Sequence, residues 1–160
     1  MRDIRWHMAK WHFLAWAEML VRLIAVGIAI YAMTLPSVRA ATWNIGSVIG
    51  VAILGVLSTA RLAAIWDRLR RREIVSTILA PISCIGHGAA LANAVVSRGI
   101  VPTVATFAAV MLASDLIRIA FIRKTGFTLD GVSRERLIGM TVIYAIGYAA
   151  IFGLSAASGF

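Results

Sequence analysis

Residues 101–122 read VPTVATFAAVMLASDLIRIAFI. Only Asp115 and Arg118 are charged in this run. At 1.5 Å of rise per residue, a helix of this length covers about 30 Å, the thickness of a bilayer's hydrocarbon core. The apolar residues are continuous rather than alternating, which excludes a membrane β-strand. The run therefore predicts a transmembrane helix, and it sets the standard by which the rest of the chain is read.

Four more runs meet that standard: residues 13–35, 43–65, 74–96 and 137–157. The fold class expected is all-α, a polytopic transmembrane bundle of five spans. Residues 13–160 form one membrane domain, with 1–12 as an interfacial basic and aromatic segment. Composition agrees. The chain has 160 residues, 61% hydrophobic and 14% charged, and its mean hydropathy is +0.88. Soluble domains are about 45–50% apolar and about 25% charged. No run is left over from which to build a sizeable soluble domain.

Connecting segments fix the orientation. Residues 36–42 and 97–100 are short turns, and 67–73 is a charged turn. Residues 123–136 form a longer loop with a turn signal at Asp130-Gly131. One side carries Arg2, Arg5, Lys10, Arg68, Arg70, Arg71, Arg72, Arg123, Lys124, Arg134 and Arg136, while the other carries only Arg39 and Arg98. Basic loops stay in the cytoplasm, so the amino terminus is expected there, with the chain in a cell membrane of the bacterial cytoplasmic type. An even number of spans would make the first run, the one most interrupted by charge, re-entrant. The net charge of +9 follows from this bias, and no nucleic-acid partner is expected. The lone Cys84 allows no intrachain disulfide.

The amino-terminal segment spaces Trp6, Trp11 and Trp16 five apart among Arg2, Arg5 and Lys10. Trp rings favour the headgroup level, so simple anchoring is the expectation, with an anionic-lipid-sensing arm as the functional alternative.

Charge inside the membrane is costly and marks a site by default. Glu18 and Arg22 lie four apart and share a helix face. Leu23 to Leu35 alone would cover only about 20 Å, so Arg22 must enter the hydrocarbon. Asp115 and Arg118 form a second pair, about 10 Å from the cytoplasmic end of their span. Both pairs lie toward that side, which places Glu18 near Arg118 and Asp115 near Arg22 in a four-charge cluster. Ser114, Thr103 and Thr106 add a mildly polar stripe. Arg61 is expected to snorkel to the headgroups.

The run 74–96 carries Pro81, which kinks a helix, and the midplane polar residues Ser83, His87 and Asn93. A neutral His87 hydrogen-bonded between helices is the expectation. A pigment or haem ligand is the alternative, but His7 and His12 lie outside the spans and no zinc ligand set is in register. Neither cofactor nor metal is expected. Small residues mark helix packing: Gly46 and Gly50; Gly86, Ala90 and Ala94; Ala149 and Gly153, with Gly147 close by. They make an oligomer feasible.

No phosphate loop, metalloprotease motif or nucleophile elbow is present, so an enzyme is not expected. Small size, abundant small residues and basic cytoplasmic segments point to an oligomerising, membrane-permeabilising or channel-type protein, similar in general type to phage holins, although five spans exceed their usual number. Two alternatives stand beside it. One is an accessory subunit of a larger membrane complex; the other is a small ion- or proton-coupled transporter using Glu18, Asp115 and His87. The partners expected are the lipid bilayer and either further copies or other membrane subunits.

Overall fold

Each apolar run becomes a helix because helices alone satisfy every backbone group within one segment in hydrocarbon. A computed structural model describes residues 13–35, 43–71, 74–128 and 132–157, with side chains for 13–35, 43–63, 80–128 and 132–155. The interfacial segment 1–12, the turn 36–42 and Asp130-Gly131 lie outside the described residues. Five helices follow in order: α1 Phe13–Thr34, α2 Ile45–Arg71, α3 Ile74–Val96, α4 Pro102–Thr125 and α5 Arg134–Ala157. Among the described residues, four are long and apolar enough to cross a membrane: α1, α4, Ile45–Ala63 of α2 and Arg134–Ser155 of α5. The shorter apolar stretch is Ala80–Val96 of α3. The first run, the expected candidate for a re-entrant segment, is thus among the long ones.

Helix ends carry local signals. Asn44 opens α2 by accepting the Ser47 amide at 2.7 Å, an N-cap. Pro102 sits in the first turn of α4, where its missing N–H costs nothing. Gly126 stops α4 in the left-handed region at φ 66°, its N–H bonding the Ile122 carbonyl. Between α3 and α4, Arg98 takes φ 57° and the Gly99 amide reaches back to the Ala94 carbonyl at 2.9 Å. That tight cap reverses the chain.

Two expected boundaries move. Residues 67–71, read as a charged turn, are the last turns of α2. Residues 123–125 and 134–136, read as loop, belong to α4 and α5. Charged residues propagate a helix as well as most apolar ones do, so hydropathy ends sooner than helicity.

The helices close into a ring. α1 packs on α4, α4 on α5, α5 on α2, α2 on α3, and α3 on α1, with a thin contact between α3 and α4 across the middle. Ion pairs join Glu18 to Arg118 and Arg22 to Asp115, so α1 runs antiparallel to α4. The Cβ direction of Gly50 points at Leu154 and that of Gly147 at Leu57, so α2 runs antiparallel to α5. One core of Ala25, Ala29, Leu54, Ala90, Phe107, Met111, Tyr148, Ile151 and neighbours fills the interior.

The distribution of polarity is inverted relative to a soluble protein. Leu20, Ile24, Tyr31, Ile45, Val56, Ile85, Leu116, Ile143 and Phe152 project outward, while Arg22, Arg61, His87, Ser114 and Asp115 are buried. Soluble monomers rarely expose apolar patches beyond a few hundred Å². Outward hydroxyls are silenced locally: Thr59 and Thr106 donate to the carbonyls of Gly55 and Pro102 on their own helices.

Glycines separate into two kinds. A Cβ on Gly50 would lie 2.7 Å from Ile100, and one on Gly86 would lie 2.8 Å from Val26. Gly86 makes a close helix approach of α3 to α1, while Gly50 makes room for the Ile100 side chain of the α3–α4 turn. Ala90 and Ala94 are buried beside Gly86 on α3. On α5, Ala149 is exposed and Gly153 faces open space, so that ridge turns outward and not toward the chain's own described helices. The glycine of α5 that packs is Gly147, against Leu57. Gly46 is half-buried.

Candidate functional site

The site begins with helical spacing. Four residues apart on α1, Glu18 and Arg22 meet at 2.9 Å, a good charge-assisted distance. Arg22 then reaches α4, where its Nε donates to Ser114 Oγ at 3.3 Å and its Nη2 to Asp115 Oδ1 at 3.4 Å. Arg118, one turn from Asp115, lies 3.6 Å from Glu18. The structure therefore brings Glu18, Arg22, Asp115 and Arg118 into one cluster. Asp115 is 1% exposed and lies ten residues, about 15 Å, inside the end of α4 at Thr125.

Arg61 corrects the snorkelling expectation. It is 7% exposed, stacks over the Tyr144 ring with 4.0 Å to the centroid, and approaches Asp115 at 3.5 Å. The reason is the length of α2. The helix continues to Arg71, ten residues and about 15 Å beyond Arg61. An arginine stem that deep finds an interior carboxylate and an aromatic face before it finds headgroups.

A second group lies toward the other end. His87 is fully buried, and its Nδ1 lies 2.6 Å from the Ser83 carbonyl. A carbonyl only accepts, so Nδ1 carries the hydrogen. In the neutral ring, Nε2 then accepts from the Tyr148 hydroxyl on α5 at 2.5 Å. Phe107 of α4 meets the His87 ring edge-on at 5.2 Å. Tyr148 is also close enough to Arg61 for their polar ends to interact. One polar network thus runs from Glu18 through Arg22, Asp115, Arg61 and Tyr148 to His87, drawing on all five helices.

One expected member falls elsewhere. Asn93 is not at the midplane; it sits in the last turn of α3 and accepts from the Ser97 hydroxyl at 3.1 Å. Of the polar stripe expected on α4, Ser114 is buried and joins the network, while Thr103 is half-buried and Thr106 exposed. At 100° per residue Thr103 lies about 20° and Thr106 about 80° from Ser114 around the helix, so the three share one side of α4 but differ in burial. His7 and His12 lie outside the described residues.

Arg61, Tyr144, Tyr148 and Phe107 were absent from the sequence-derived site. Tyr144 and Tyr148 carried a signal: two aromatics with polar ends, four apart in a membrane helix, share a face that must find donors or acceptors. Among the described residues no group of three or more His, Cys, Asp or Glu side chains is placed to hold a metal.

The network is incompletely satisfied. Arg61 Nε and Nη2, Asp115 Oδ2 and Ser83 Oγ are buried without hydrogen-bond partners. The two guanidinium contacts to Asp115, at 3.4 and 3.5 Å, are longer than a tight pair. Comparison with known protein families, with curated proteins and with solved structures returned no match.

Proposed function

We propose that the chain is a five-span protein of a bacterial cytoplasmic membrane, with its amino terminus inside, that carries a small ion across through the interior of its bundle. The observation that carries this reading is the buried network from Glu18 to His87, contributed by five helices. Ionisable groups inside a membrane protein mark ion and proton pathways. Their position inside one chain's ring favours this reading over a pore between copies, which would need its polar face on the outside. The outer face of the described residues is instead apolar.

Reconstitution tests it. Ion or proton uptake into liposomes, followed by a pH- or ion-sensitive dye, is expected with the wild type and lost with Asp115→Asn. Uptake equal to that of empty liposomes removes the reading. Orientation is checked separately: a reporter fused after Phe160 is expected outside, and one at the amino terminus inside.

Membrane permeabilisation by oligomers is the second reading, favoured by the outward-facing Ala149 and Gly153. It expects rapid loss of membrane potential on induced expression, and Gly153→Leu to prevent it.

A further inference from the structure

Counting charge in the interior gives an imbalance. With both acids ionised, Glu18 and Asp115 supply two negative charges, and Arg22, Arg61 and Arg118 supply three positive ones. Among the described residues no third carboxylate joins these pairs. The charged and titratable groups that face Arg61 from the other described helices are Asp115, Arg22, Tyr144, Tyr148 and neutral His87. None of these supplies the missing negative charge.

The imbalance coincides with unused donors. Arg61 is more than nine-tenths buried, yet its Nε has no hydrogen-bond acceptor, and its Nη2 makes only the long 3.5 Å ion contact to Asp115 Oδ1 and no hydrogen bond. Guanidinium N–H groups are five donors in a fixed fork that matches planar oxyanions. A buried uncompensated cation costs several kcal/mol. Water would satisfy the two donors but not the charge. An anion satisfies both.

We infer that this interior binds one small monovalent anion on the Nε–H and Nη2–H of Arg61. As an identification of the cargo, this rests on the transport reading above; as a binding site it does not. The bound anion makes the cluster neutral. A cation is disfavoured at the same place, because it would raise the surplus. Size is restricted by burial, since Arg61 is only 7% exposed.

The charge count makes a prediction that a merely structural network does not. Neutralising an arginine and neutralising an acid must act in opposite directions. The purified full chain in detergent is titrated calorimetrically with sodium nitrate, with sodium gluconate as the bulky control. Saturable nitrate binding at one per chain is expected, and none for gluconate. Arg61→Gln is expected to weaken nitrate binding by about tenfold or more, the loss of a charged hydrogen bond. Asp115→Asn and Glu18→Gln raise the surplus and are expected to tighten it, Asp115→Asn more. If Asp115→Asn does not fold, Glu18→Gln, whose acid is only partly buried, decides the sign. Absence of saturable nitrate binding, equal binding by Arg61→Gln, or weaker binding by Glu18→Gln overturns the inference. Nitrate bound by the protein but not taken up into liposomes upholds the site and removes the anion as the cargo. Proton or potassium uptake by a protein that does not bind nitrate retains transport and overturns the anion.

Discussion

Two layers of the same interior are built on opposite rules. Around Asp115, long side chains from three helices meet at 3.4 to 3.6 Å and leave polar atoms unpartnered. Around His87, the rings of Phe107 and Tyr148 pack against the imidazole, Gly86 brings α3 close to α1, and each ring nitrogen has its partner. The first layer is held by charge, the second by fit. Charge acts over several ångströms and tolerates loose geometry, whereas dispersion fails within one. A loose charged layer resting on a tight apolar one gives a bundle that can rearrange at one level while staying fixed at another.

Substitutions separate the two rules, and melting followed by a dye that reacts with the single, half-buried Cys84 measures each. Asp115→Ala leaves Arg22 and Arg61 facing each other without their carboxylate. It is expected to cost about 3–5 kcal/mol, the loss seen when one partner of a buried pair is removed, and adding Arg61→Met is expected to recover part. A variant that melts with the wild type would mean that charge does not hold this layer. Gly86→Val pushes atoms toward the backbone of Val26, 3.2 Å from where the Cβ would sit. It is expected to destabilise by about 2–3 kcal/mol, and a smaller loss would show that the second layer is not tight. Tyr148→Phe removes the donor to His87 Nε2 while keeping the ring. About 1–2 kcal/mol is expected, with no change if the charged layer alone sets stability. Gly153→Ala lies on neither layer and faces open space. It is expected to stabilise by about 0.5–1 kcal/mol through helix propensity, and destabilisation would reveal an outer contact.

What was legible in the sequence follows the same division. Hydropathy located all five helices, since the cost of bare backbone in hydrocarbon leaves little freedom. The spacing of Glu18 to Arg22 and of Asp115 to Arg118, together with their depth, anticipated that they would meet. The partners of Arg61 were not legible, because they depend on where α2 ends, and the charged residues 67–71 look like a turn until the helix is seen to continue through them. Nor was the choice between Gly147 and Gly153. Both sit on α5 six residues apart, and only the neighbouring Leu57 distinguishes them. Which face of a membrane helix turns inward is set by its neighbours, and the order of helices around a ring is not written in any one of them.

That ring order has a consequence for synthesis. Among the described residues α1 packs on α3 and α4 and not on α2, so it waits for its main partner until α4 has been made. Arg22 and Asp115 are separated by 93 positions, all of which the ribosome must add before the two can meet. In the interval α1 leaves the translocon with an arginine, whose insertion alone costs about 2.5–3.5 kcal/mol at a helix centre. Glu18, already on the same helix at 2.9 Å, is a counter-charge available that early. The pair that later anchors the charged cluster thus first serves as an escort, carrying its own helix into the lipid until the rest of the chain arrives.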